Sequence, residues 1–290
     1  MSVEKKTTDH NKKTARDLLI HWIPVAAFCS MVIFGGLFLR DFLQYREAER
    51  EYHKLSELYR PIEKPEEQSL SERSNGDPQN KRMTKAGLPE LPDIPDLNID
   101  FGALKKINPS LACVLYIPAL KLCYPVVYSE DNLYELNHTF SGTENAAGTI
   151  FYDCLSERAF AGTNTFLFGH NMKNGTMFGS LKNFLRDSSL YKKNPFFYIY
   201  TDETVKQYEI VSYYTTREDS ETYEDFQGEA GYARYLDYIR EQNVLPGERL
   251  SSDRIEIQQK PLVTLSTCAG TQGSAQRFVV HGIWVAEQPR

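Results

Sequence analysis

A thiol and a guanidinium lie nine residues apart near the end of this 290-residue chain. Cys268 closes the run Thr264-Leu265-Ser266-Thr267-Cys268, and Arg277 opens Arg277-Phe278-Val279-Val280-His281-Gly282-Ile283-Trp284-Val285. Both runs read as strands, so a nucleophile and a permanent cation fall at one end of a sheet, the arrangement a cysteine acyl-transfer site needs. A third group, His170, follows the strand-like Thr165-Phe166-Leu167-Phe168 in a Gly169-His170-Asn171-Met172 turn, which delivers an imidazole to another strand end. The chemistry follows from residue type. A cysteine attacks as its thiolate, a neighbouring imidazolium favours that form, and the same imidazolium can protonate an amine leaving group. Arg277 stays protonated and is no base, so its use is to hold a carbonyl and the oxyanion that develops on it.

Competing residues are few. Of six histidines, His10, His21 and His53 fall in the tail, an apolar segment and a charged stalk. His281 shares a strand face with Arg277 but sits among Val280, Gly282 and Ile283, a structural setting, and His138 lies in a loop without other chemical signals. Cys29, Cys113, Cys123 and Cys154 complete an odd set of five cysteines with no C-x-x-C pair, so their spacing encodes neither a disulfide framework nor a zinc site. Alternation puts Ser266 on the side of Cys268, a place for substrate or oxyanion contact, and Thr267 on the packed side. Asn171, beside His170, is a further expected substrate contact.

These groups need elements to hold them. Eight strand-like runs span 112–117, 122–128, 148–152, 164–169, 195–201, 204–216, 262–267 and 277–286, short and broken by Gly, Asn and Pro, which predicts a mainly β sandwich or closed barrel. Helical patterns interrupt them over 177–186 and 229–242, where Tyr232, Tyr235, Leu236 and Ile239 recur at helical spacing and should pack that helix onto the sheet.

Ahead of the sheet, Leu18 to Leu39 is free of formal charge and long enough to cross a hydrocarbon core of roughly 30 Å. Lys5, Lys6, Lys12, Lys13 and Arg16 precede it and mixed charge follows, so residues 1–17 are expected in the cytoplasm, 18–39 in the membrane, and the rest outside. A cleaved signal peptide competes with this signal anchor, but its apolar region would be shorter and end in a small-x-small site. Phe28 before Cys29 speaks against a lipoprotein site. Residues 40–97 read as a juxtamembrane helix to about Tyr59 and then a Pro-rich, polar linker over 61–95, with the catalytic domain over 98–290. The net charge of −6 is spread along the chain, which sets nucleic-acid binding aside.

The ordered set Gly169-His170-Asn171-Met172, then Gly175-Thr176-Met177-Phe178, then Thr264-Leu265-Ser266-Thr267-Cys268 and Arg277, resembles the sortases, and class B among them. Tyr116-Ile117-Pro118, Tyr124-Pro125-Val126-Val127, Asp131-Asn132-Leu133-Tyr134 and Gly148-Thr149-Ile150-Phe151 are similar to that family's early strands in order and spacing, and the helix near 229–242 resembles the class B insertion. The resemblance implies an eight-stranded sortase-type β-barrel with inserted helices. It also implies a membrane-anchored cysteine transpeptidase of the Gram-positive cell surface, with His170, Cys268 and Arg277 as its catalytic residues. Such an enzyme cleaves a C-terminal sorting motif after its threonine, holds the acyl fragment as a thioester, and passes it to an amine of a peptidoglycan precursor or a pilin. No metal or organic cofactor is implied. Ala269 departs from an acidic residue found there in some class B members, and Cys154 stands where an aromatic or basic residue is common; both bear on substrate preference rather than on the chemistry. A cysteine hydrolase with water as acceptor and a non-catalytic surface binding domain are the alternatives.

Overall fold

The computed structural model describes residues 4–62, 91–226, 228–244, 260–268 and 274–290, with backbone alone for 4–21, 41 and 268. Helix α1 (Glu4–Leu55) is continuous through Pro24. Two compact units divide the chain, Met1–Glu49 and Arg50–Arg290. In the first, Trp22, Phe28, Phe34 and Phe38 are 62–73% exposed, and the apolar part of the helix has a mean hydropathy of 2.1. A helix apolar all round and long enough to span a bilayer suits lipid rather than water.

The second unit is built on a closed barrel of eight strands: β3 (Leu111–Ile117), β4 (Leu122–Tyr128), β5 (Ile150–Tyr152), β6 (Asn164–Phe168), β7 (Phe196–Tyr200), β8 (Thr204–Arg217), β9 (Leu262–Cys268) and β10 (Gln276–Pro289). Their order around the barrel is β10-β8-β7-β3-β4-β5-β6-β9, antiparallel except for the parallel pairs β4–β5 and β6–β9. Every expected strand is present. Alternation sorts their side chains into two layers. Val263 and Leu265 of β9, with Phe278 and Val280 of β10, enter the main core, whereas Leu262, Val279 and Ile283 face a second, outer cluster. That outer cluster is closed by α5 (Gly228–Glu241), which lays Tyr232, Tyr235, Leu236 and Ile239 on the sheet, so these residues are packing, as their spacing implied. The other expected helical stretch is a 3-10 turn, Phe178–Lys182, followed by the short helices α3 (Asn183–Arg186) and α4 (Ser188–Lys193).

The N-terminal boundary differs from the expected one. Tyr52, Leu55 and Tyr59 are buried in the main core, and β1 (Tyr59–Pro61) pairs with β2 (Leu97–Ile99), which leads into α2 (Phe101–Ile107). The compact unit thus starts at Arg50 rather than near residue 98. The segment reads as a solvated stalk because its apolar residues are spaced among charges, yet that spacing is a stripe, and the stripe finds the barrel. Both ends of the expected linker are tied down: the Ile62 N–H donates to Asp96 O (3.0 Å), and the Tyr200 hydroxyl donates to Pro95 O (2.7 Å). Its middle, 63–90, lies outside the described residues.

Candidate active site

Strand pairing alone brings the three chemical residues side by side. In the parallel β6–β9 ladder Phe168 is level with Ser266, so His170, two positions on, is level with Cys268; the Gly169 N–H donating to Ser266 O (3.2 Å) carries the pairing past the strand end. In the antiparallel β9–β10 ladder Cys268 pairs with Arg277. Adjacent strands lie about 4.8 Å apart, so imidazole, thiol and guanidinium positions occur in that order across three neighbouring strand ends. Leu262, Thr264 and Ser266 occupy the outer face of β9, and position 268 continues it. The side chain of Cys268, like Ala269, lies outside the described residues.

A cavity of about 820 Å³ opens along this face. Its floor is Asn164, Phe166 and Phe168 of β6 with Ser266 of β9. One wall is Tyr223–Phe226, the stretch between β8 and α5, and the other is the β5–β6 connection around Asp153 and Glu157. His170, Glu218 and Arg277 close one end. Tyr223 lies over the floor, tilted against the Phe166 ring with centroids 5.5 Å apart, and its hydroxyl is 2.7 Å from Ser266 Oγ. Ser266 therefore reaches the cleft, and Thr267, paired with Phe278 of the core, borders it as well. Asn171 is not among the lining residues; it bridges to Met177 and closes the turn after His170.

The His170 ring is oriented by backbone. Its Nε2 is 2.7 Å from Leu136 O, and since a carbonyl only accepts, Nε2 carries the hydrogen. Nδ1 is then the nitrogen that can exchange a proton with sulfur or substrate. Gly169 is needed just before it, because a Cβ there would lie 2.9 Å from the Phe178 ring. Arg277 is fixed from three sides: Nη1 donates to Ser274 O (2.6 Å) and Gln276 O (3.0 Å), and Nη2 donates to the Glu218 carboxylate. Glu218 had no signal in the sequence. It reaches Arg277 because β8 pairs with β10, bringing the residue after Arg217 to the head of β10.

The remaining candidates are structural. His281 is fully buried, bonded through Nδ1 to Thr264 Oγ1 (2.9 Å) and through Nε2 to the Tyr214 hydroxyl (3.1 Å), and burial pushes its imidazole down to about 3. It is neutral at ordinary pH and no acid for catalysis. His138 stacks on Tyr134 with ring centroids 3.7 Å apart. Burial raises the Cys113 thiol and pushes that of Cys123 up to about 12, so neither is a ready nucleophile. Cys154 is exposed, and desolvation followed by the Asp153 carboxylate raises its thiol. Among the described residues no three His, Cys, Asp or Glu side chains converge as metal ligands.

Several known proteins are similar to this chain in sequence and in fold. The family model described as Sortase domain matches residues 115–285. Sortase B of Listeria monocytogenes is 31% identical over 182 residues, 62% of this chain and 71% of that protein. Sortase B of Staphylococcus aureus is 28% identical over 183 residues, 62% of this chain and 72% of that protein. Among solved structures, sortase B from B. anthracis in complex with AAEK1 superposes with a TM-score of 0.60 at 26% identity, covering 84% of this chain and 99% of that one. The Staphylococcus aureus sortase B–substrate complex superposes with a TM-score of 0.57 at 26% identity, over 64% and 84% of the two chains.

Proposed function

This chain belongs to the sortase family, in class B, and from that membership we propose that it is a membrane-anchored enzyme joining proteins with a C-terminal sorting motif to an amine at the cell surface. The chemistry of the class is cysteine transpeptidation. The observation that supports the assignment of roles is the register that sets His170, Cys268 and Arg277 at three adjacent strand ends, with His170 and Arg277 lining one cleft.

In this reading the Cys268 thiolate attacks the carbonyl carbon of the motif's threonine. The carbonyl oxygen becomes an oxyanion, which Arg277 stabilises, and Ser266 lines the path of the peptide. Collapse breaks the peptide bond; His170 protonates the departing amine through Nδ1, and the acyl group stays on sulfur as a thioester. The acceptor amine then attacks, His170 takes its proton, and the new amide leaves with the thiolate restored. Asp153, Glu157, Glu218, Glu224 and Asp225 line the same cavity. Their field favours an ammonium-bearing acceptor, on a peptidoglycan precursor or a pilin lysine, over an anionic one. Asn171 contributes through the turn it closes rather than through the cleft.

The anchor is the apolar stretch of α1, with the basic N-terminus in the cytoplasm and the barrel outside. Protease added to intact protoplasts should release the barrel and spare the N-terminal tail; loss of the tail with a protected barrel overturns that topology. For the reaction, the enzyme is incubated with a fluorescent sorting-motif peptide, with and without an added amine, and the products are read by mass spectrometry. Product joined to the amine is expected. Cleavage alone makes the protein a hydrolase, and peptide bound without turnover makes it a binding domain.

A further inference from the structure

We propose that Tyr52, at the end of α1, is a positioning residue for the His170 imidazole. The inference rests on the catalytic reading of His170 given above, but the contacts that carry it stand independently of the substrate.

Tyr52 is 7% exposed, and its hydroxyl sits between two backbone groups: it donates to Gly148 O (3.0 Å) and accepts from the Phe140 N–H (3.2 Å). Gly148 is the link to the site. It adopts φ +60°, and a Cβ at this position would lie 2.6 Å from Glu135 O, 2.9 Å from Leu136 O and 3.0 Å from His170 Cδ2. Its backbone is thus packed directly on the histidine ring and on the carbonyl that receives the Nε2 hydrogen. The Thr149 N–H, next along the chain, donates to Glu135 O (2.9 Å) and holds the same turn. Moving Gly148 therefore moves the group that fixes the tautomer of His170.

A second route leaves the same phenol. The Tyr52 ring packs edge-on against Tyr124, with centroids 5.4 Å apart, and the Tyr124 hydroxyl accepts from the Met177 N–H (3.4 Å). Met177 bridges Asn171, and the Phe178 N–H donates to His170 O (3.0 Å). One residue thus reaches both the ring and the backbone of His170. Its loss as a hydrogen-bonding group leaves a buried N–H and a buried carbonyl without their partner beside the catalytic turn.

The test compares Tyr52→Phe with wild type in the full chain in detergent micelles, and with Tyr59→Phe, which lies in the same core but is bonded to neither Gly148 nor the His170 turn. Imidazole ¹⁵N NMR on histidine-labelled protein should show His170 held as the Nε2–H tautomer in wild type and in Tyr59→Phe, and a mixture in Tyr52→Phe. Steady-state transpeptidation should show kcat down about tenfold in Tyr52→Phe with KM little changed, the signature of a lost alignment rather than of lost binding. Tyr124→Phe, which cuts only the second route, should give the same pattern more weakly and keeps the test available if Tyr52→Phe does not fold. An unchanged tautomer and kcat in Tyr52→Phe, with thermal stability lowered as in Tyr59→Phe, overturns the proposal and leaves Tyr52 a core residue. Absence of transpeptidation by wild type would count against the catalytic reading, and the tautomer measurement would still decide for or against Tyr52.

Discussion

In the proposed mechanism each of the three side chains at the strand ends does something with charge that the others do not, and substitutions should separate them. Cys268→Ala should remove both turnover and the thioester, since no other group at that position can form the covalent intermediate. Arg277→Ala should lower kcat by about 10²–10³-fold, the usual scale for one oxyanion donor, with Arg277→Lys recovering part, because a point charge lacks the planar fork. Kinetics with a sorting-motif peptide and mass spectrometry for the acyl-enzyme check both. His281 should behave differently. Its folded imidazole is held near 3 by burial, whereas an unfolded one titrates at about 6.5, so the unfolded state binds more protons between those values. Stability is fully present above about pH 6.5 and falls as pH drops toward 3, by about 1.4 kcal/mol per pH unit at its steepest. Chemical denaturation of wild type and His281→Gln across pH 3–7 measures this, and the variant should show a flatter dependence. His170, Ser266 and Arg277 were legible as lining residues because motif and alternation needed only local order. Glu218 and Tyr223 were not, because each reaches the cleft through the β8–β10 pairing and the stretch that follows it, which no short-range spacing encodes.

At the scale of elements, the strands were legible because most are short apolar or aromatic runs set off by Gly, Asn or Pro, with β8 and β10 longer runs of the same kind. The barrel's closure, expected from the family resemblance and found in the structure, rests on pairings that no local spacing encodes. The two parallel pairs, β4–β5 and β6–β9, depend on which strands meet across long connections, and the second of them sets His170 level with Cys268. The insertion after β8 has two jobs that its sequence shows as one. Its helix α5 packs by a plain apolar stripe, while Tyr223, just ahead of it, spans the cleft from Phe166 to Ser266. Tyr223→Phe keeps the ring and loses the bond to Ser266, so a modest rise in KM for the peptide, of about two- to fivefold, is expected, the scale of one neutral hydrogen bond. Thermal stability should move little. A large loss of stability with unchanged KM would assign Tyr223 to the core instead of to the cleft.

The whole molecule joins an apolar helix to a barrel by a segment whose burial was hidden in its composition. Between Arg50 and Pro61 charged residues outnumber apolar ones, and the stretch reads as a tether; Tyr52, Leu55 and Tyr59 nevertheless belong to the main core, and β1 covers β2. Fully burying a large apolar side chain contributes about 1.5–3 kcal/mol, so three of them are comparable to the roughly 5–15 kcal/mol that holds an ordinary domain together. A fragment starting at Asn98 loses all three, removes β1 and the first residue of β2, and takes away the hydroxyl shared by Gly148 O and the Phe140 N–H. A fragment starting at Arg50 keeps them. The Arg50 fragment should therefore unfold cooperatively and retain transpeptidation, while the Asn98 fragment should melt at a temperature lower by 10 °C or more, on the usual scale of about 2–4 °C per kcal/mol for a chain of this size, or not fold at all. Differential scanning calorimetry of the two fragments decides it. Equal melting temperatures would return residues 50–62 to the tether and leave the barrel complete from Asn98 onward.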